Sequence, residues 1–304
     1  MAEQSSALAR WRDATIALLV HALALLAVPA AAAVVAEADT ADARRLVALH
    51  ATLAPRLADS VFRRPLLMES SERGDLARGD VFAVIPHPFA TVAQALHRPA
   101  QWCQVLELHL NVKRCASGPA TVMLHLGTKR EQALDKAHPL DMLFTLEALG
   151  PNLLKVALRA AQGPLGTRDY EILLEAVPAG PASTFMHFGY QVGTSTLARL
   201  AMQGYLMTLG RDKLGFSADP RDGRPGTIRG PRAAVERNAM RYQLAIEAYL
   251  DTLGLPEPAG TERRLAAWFD ATERHARQLH EVERDAYLAM KRRELHSVLQ
   301  PRNP

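Results

Sequence analysis

Beyond Trp102 the hydrophobic period of this chain changes from 3.6 to 2 and stays there for some eighty residues. Leu106, Leu108, Leu110 and Val112 alternate with Glu107, His109, Asn111 and Lys113. The alternation returns at 121–128, 141–149 and 153–161, then at Tyr170, Ile172 and Leu174, and again over 184–190. Period 2 is what a strand with one face in a core and one in water requires. The connections are short, Gly163-Pro164-Leu165-Gly166 and the turn from Pro178 to Pro181 among them. Parallel strands need a crossover of a dozen or more residues, so strands joined this tightly are antiparallel neighbours. With the β-rich run Asp80 to Ile85, stopped by Pro86 and Pro88, this predicts an α+β fold with a curved antiparallel sheet of about seven strands.

Helical spacing flanks the alternating region. Residues 40–66 carry Leu46, Leu49, Leu53 and Leu57 on one stripe, which Pro55 should break and Pro65 should end. Phe89, Val92, Ala93 and Leu96 follow Pro88 at helical spacing, and Pro99 opens a second short helix holding Trp102. After Gly193, Leu197, Leu200, Ala201, Tyr205, Leu206 and Leu209 form the stripe of a long helix for the sheet to grip. Residues 216–231 are rich in Pro and Gly and read as a linker, and 232–304 as a C-terminal helical extension. The expected organisation is therefore 1–38, a signal peptide or anchor; 39–78, a helical lead-in; 79–215, the sheet domain; then linker and extension.

Residues 14–36 contain no Asp, Glu, Lys or Arg, follow Arg10 and Arg12, and end in small residues after Pro29. That is the pattern of an export signal, cleaved near residue 38 or retained as an anchor in the cytoplasmic membrane. Either outcome puts the rest of the chain outside that membrane, in the periplasm or secreted. Cys103 and Cys115, the only cysteines, then share an oxidising space, where a disulfide is the economical reading against two free thiols. Such a staple stabilises the fold by about 3 kcal/mol in the chain-entropy account.

A strand, two short helices, an antiparallel meander and a covering helix form a specific order. Over 79–215 it resembles the START-like superfamily, the helix-grip fold of polyketide cyclases, lipid-transfer domains and pollen allergens. The local likeness is Asp80 to Trp102: strand, Pro, Phe89-x-x-Val92-x-x-x-Leu96, then Pro99 and Trp102, with His97-Arg98 where that opening usually has a small or acidic residue. The resemblance implies a cavity for a hydrophobic or amphipathic small molecule, lipid-like or aromatic, and carries over no catalytic set.

If such a cavity exists, its walls are Leu108, Leu110, Phe144, Tyr170, Ile172, Met186, Phe188 and Tyr190 from the strands, Leu200 and Tyr205 from the covering helix, and Trp102 at one end. The plain alternative is a dry core. Tyr170, Tyr190 and Tyr205 stand out because a buried phenol needs a hydrogen-bond partner. His109 and His187 fall on the opposite strand face by alternation and read as surface residues rather than a general acid or base. No metal-ligand spacing, nucleophile elbow or phosphate loop is present, so no cofactor, metal or catalytic residue is expected. The net charge of +4 comes from basic residues interleaved with acids along the terminal helices, which argues against nucleic acid. Two rival functions remain open: an envelope protein or membrane-surface partner docked by the C-terminal helices, and a cyclase or aromatase-type enzyme.

Overall fold

The computed structural model describes residues 30–195, 213–219, 223–224 and 226–299, and the chain divides into two compact units, 1–45 and 46–304. In the first, the described residues are helical, with Asp42 and Arg45 paired one turn apart. The helix they belong to, α1 (Ala30–Ala58), contains Pro55 instead of breaking there. Leu53 and Leu57 are both buried, and that packing carries the helix through its proline for one last turn. No described helix is long and apolar enough to cross a membrane.

Then come β1 (Leu66–Arg73), β2 (Leu76–Ile85), α2 (Phe89–Leu96), α3 (Pro99–Leu106), β3 (Val112–Ser117), β4 (Thr121–Leu126), β5 (His138–Leu149), β6 (Leu154–Gln162), β7 (Thr167–Gly180) and β8 (Ser183–Thr194). All pairings are antiparallel in one open, curved sheet of order β1-β2-β8-β7-β6-β5-β4-β3. The helices α4 (Gly230–Leu250), α5 (Ala259–Glu273), α6 (Ala276–Leu279) and α7 (Arg284–Leu299) complete the described elements. The eighth strand is β1, whose sequence LLMESSER shows no alternation because it is an edge strand with only Leu66 fully buried.

The expected strand over Leu106–Val112 does not form. Residues 107–111 make a tight turn, and side chains take the carbonyls in it and at the start of β3: Tyr287 donates to Leu108, Lys113 to Leu110 and Lys291 to Val112, at 2.8–3.0 Å. The disulfide requires this. Cys103 and Cys115 lie 5.4 Å apart at Cα, whereas a strand from 106 to 112 would carry the chain ~20 Å away with three residues left to return.

The stripe from Leu197 to Leu209, expected to cover the sheet, lies outside the described residues. The described helix on the concave face is α4, packed on β1, β2 and β8. Its backbone touches the sheet at Gly79, where an added Cβ would stand 3.0 Å from the Val235 carbonyl group. Behind it, the Trp268 indole donates to the Arg241 carbonyl at 2.9 Å and its ring lies 5.0 Å from Tyr287. The residues after 230 thus share one hydrophobic core with the sheet.

The other face is also covered along β8, where every residue from Thr184 to Tyr190 is buried. Phe82, Ala157, Val177 and Phe185 are buried on this side, and His50 of α1 stacks on Phe185 at 4.5 Å. Beside that apolar patch runs a closed circuit of charges. Arg78 binds Asp80 and Glu171; Arg159 binds Glu171 and Glu147; Lys155 reaches Glu147 and Glu175; His187 closes the circuit between Glu175 at 2.9 Å and Asp80 at 2.8 Å. Gly189 leaves room for it, since a Cβ there would stand 2.3 Å from the Arg78 guanidinium. Burial works against the His187 charge, but its bonds to the two carboxylates outweigh it and raise the imidazole pKa.

Two outcomes follow from these contacts. Gly79→Ala should destabilise the chain by about 1–3 kcal/mol, the cost of overpacking against a rigid backbone, as read by chemical denaturation. His187 holds its proton more tightly when folded, so its contribution is complete below the unfolded pKa of about 6.5 and is lost as pH rises through the folded value. Melting temperature should fall as pH rises above about 6.5 and through the raised folded value, and His187→Gln should flatten that slope; equal slopes in both proteins would disprove the role given to this proton.

Candidate functional site

Pairing across the sheet sets the first row of the site. Gly79, Tyr190, Ile172, Leu158 and Phe144 are successive register partners from β2 through β8, β7 and β6 to β5. Tyr190, Ile172 and Phe144 therefore lie side by side on the concave face, with Phe188 and Met186 further along β8, all buried. Tyr170 stands at the start of this wall, half-buried, and its hydroxyl donates to Thr167 Oγ1 at 2.9 Å. Trp102, on α3, is fully buried, its indole N–H donating to the Leu96 carbonyl at the end of α2 at 2.9 Å. Leu108 and Leu110 are buried in the turn before β3 rather than on a strand. Leu200 and Tyr205 lie outside the described residues.

Two further residues complete the cluster. Tyr242 of α4 is buried, with its ring 5.8 Å from Tyr190 and 6.2 Å from Phe188. His109, which alternation assigns to a solvated strand face, is instead 2% exposed and stacks on Tyr242 at 4.9 Å. The reversal has the same cause as the missing strand, because the turn folds His109 under α4. Asn238, one turn before Tyr242, stands against the Tyr190 hydroxyl and the His109 ring. His187 is not part of this group; it belongs to the charge circuit on the opposite face.

Burial, with the positive charge of Arg241 next in weight, lowers the His109 pKa well below its ordinary value. Its Nδ1 accepts the Asn111 N–H at 3.1 Å, which puts the proton of the neutral ring on Nε2, and Nε2 makes no hydrogen bond of normal geometry. Burial, reinforced by Tyr170 and, for Tyr190, also by Tyr242, keeps Tyr190 and Tyr242 protonated, and burial raises Tyr170 as well. The interior thus presents three neutral phenols and a neutral imidazole on an apolar wall. Such a set can donate and accept hydrogen bonds at the polar tip of an otherwise apolar molecule. Among the described residues no group of three or more His, Cys, Asp or Glu side chains could hold a metal ion.

Tyr242 and Asn238 are absent from the expected wall because 232–253 reads as a charged appendage. A signal was there: Val235, Ala239, Tyr242, Ile246 and Tyr249 recur at spacings of four and three, the seam of a helix packed on another surface.

Two clefts open elsewhere on the chain, of about 540 Å³ and 500 Å³, on either side of Phe62 and Phe216. Neither is lined by the tyrosines or His109.

No protein-family model and no curated protein matches the sequence. Solved structures with a similar arrangement include a START-superfamily protein from Mycobacterium smegmatis, 16% identical, covering 44% of this chain and 92% of its own, with a TM-score of 0.28. Norcoclaurine synthase from Thalictrum flavum, solved with dopamine and hydroxybenzaldehyde, is 13% identical over 46% of this chain and 86% of its own, with a TM-score of 0.31. An aromatase/cyclase from a Streptomyces species is 12% identical over 68% of this chain and 99% of its own, with a TM-score of 0.29. The chain is similar to START-superfamily proteins over part of its length.

Proposed function

We propose that this protein binds a hydrophobic or aromatic small molecule between the concave face of the sheet and α4. The observation that carries the reading is the convergence of Tyr190, Tyr242, Tyr170 and His109 inside an otherwise apolar core. The His109 Nε2 is buried without a hydrogen bond of normal geometry, which is costly, and a ligand hydroxyl or carbonyl would match the neutral donors and acceptors gathered there. The C-terminal helices use Trp268, Phe269 and Tyr287 in the chain's own core, which favours a bound small molecule over a partner protein docked on those side chains.

Isothermal titration of the full chain with 2-naphthol, a neutral aromatic alcohol, should show saturable binding. Tyr242→Phe and Tyr190→Phe remove only hydroxyls and should each weaken it about fivefold, the value of one hydrogen bond. Absence of saturable uptake of 2-naphthol and of a neutral long-chain alcohol by the native protein would refute the reading.

The same proposal places the protein outside the cytoplasmic membrane, as a periplasmic or secreted binder. It is supported by the uncharged segment 14–36 and by a single disulfide that uses both cysteines. Protein expressed with its own N-terminus should be recovered from the envelope or medium, with an intact mass showing either the full chain held in the membrane or loss of about 38 residues. A full-length chain in the cytosol with reduced cysteines would count against export.

A further inference from the structure

The larger cleft has an unusual lining. Its floor is three rings in mutual edge or tilted contact: Phe62 to Phe216 at 5.5 Å, Phe62 to His275 at 5.8 Å and Phe216 to His275 at 5.6 Å. Around them stand Arg63, Arg274 and Arg277, all exposed. None of the three has a carboxylate partner among the described residues. Arg64 beside them, by contrast, is held by Glu247 through two bonds of 2.6 and 2.8 Å. Arg63 has φ of 56°, a left-handed conformation that a long side chain adopts at a cost, and it sits at the cleft wall. The surplus positive charge also acts on His275: burial first, then Arg64 and Arg274, lower its pKa, so the ring is neutral and available for stacking.

We propose that this cleft is a second binding site, for a soluble small molecule that combines an aromatic body with a phosphate or carboxylate group. The aromatic floor takes the flat apolar part by edge and face contacts. The arginine forks take the anion by paired, charge-assisted hydrogen bonds, which planar guanidinium groups form with phosphate and carboxylate oxygens. A volume of about 540 Å³ suits a ligand of this size. The site shares no lining residue with the tyrosine cluster and takes an anionic ligand rather than a neutral one, so it stands or falls separately from the function proposed above.

The test is isothermal titration of the full chain with 2-naphthyl phosphate, 2-naphthol and inorganic phosphate, at low ionic strength and in about 1 M salt. 2-Naphthyl phosphate should bind saturably, more tightly than inorganic phosphate, and weaken in salt. Arg274→Gln/Arg277→Gln should weaken it about tenfold while leaving 2-naphthol affinity and melting temperature unchanged, and Tyr242→Phe should leave its binding unchanged. Arg274→Lys/Arg277→Lys should recover only part of the loss, because an ammonium cannot form the paired contact. Naphthyl phosphate binding that ignores the arginine substitutions would overturn the proposal, as would equal affinity for inorganic phosphate. A parallel arm uses phosphatidylglycerol and phosphatidylcholine vesicles. Arginine-dependent binding to the anionic vesicles without uptake of 2-naphthyl phosphate would assign the arginines to a lipid surface and overturn the soluble-ligand site.

Discussion

The contact between α4 and β2 at Gly79 is the one on which the rest of the structure depends. With no side chain at Gly79, the helix backbone at Val235 rests directly on the strand, and that close approach lowers Tyr242 towards Tyr190 and Phe188. A helix seated an ångström or two higher would open the interior and separate the phenols from His109. The position also explains why so little of α4 meets solvent: the sheet lies on one side of it, and α3, α5 and α6 also pack against it.

A helix enclosed on every side cannot leave its charges in water, and here each one holds a neighbouring segment. Glu236 is fully buried and accepts the backbone N–H groups of Phe216 and Ser217 at 2.5 and 3.0 Å, fixing the 213–219 segment to the helix. Arg237 donates to the Leu214 carbonyl, and Arg241 to the Leu279 carbonyl and to Glu281. Burial pushes the Glu281 carboxyl up, but Lys129, Arg241 and Lys213 more than reverse it and hold it at about 2. At the other end of the core, Glu294 bridges the buried ammonium groups of Lys113 and Lys291. Ion pairs in such surroundings add little net stability against an apolar replacement. Their effect here is to set which loop meets which helix.

Much of the sheet was legible in the residues. Alternation located β4 to β7 because each is half-exposed over part of its length, it also located β8 over 184–190 although both of its faces are buried there, and short connections required antiparallel order. The misreadings share a physical origin in contacts remote in sequence. Leu106, Leu108, Leu110 and Val112 are all buried, as alternation demands, but Leu106 ends α3, Leu108 and Leu110 lie in a turn and Val112 opens β3, and only the 5.4 Å Cα separation of Cys103 and Cys115 shows that a strand cannot fit there. β1 escaped notice because an edge strand needs no apolar face. Tyr242 escaped notice because its neighbours are charged, and charge in a sequence reads as solvent; alternation assigns His109 to a solvated face because it assumes a strand where the chain turns.

The sequence by itself determined the α+β class, the antiparallel meander, the disulfide pair and the tyrosines of β7 and β8, because these follow from periodicity and residue type within short windows. Tertiary structure alone decided that a charged helix lies on the sheet, that His109 stacks on Tyr242, and that His187 closes a circuit of ion pairs on the far face. It likewise decided that Phe62, Phe216 and His275 meet among arginines drawn from segments some two hundred residues apart. The reason is the same in each case: whether a charged or polar side chain is buried depends on the partners that surround it, and those partners come from other parts of the chain.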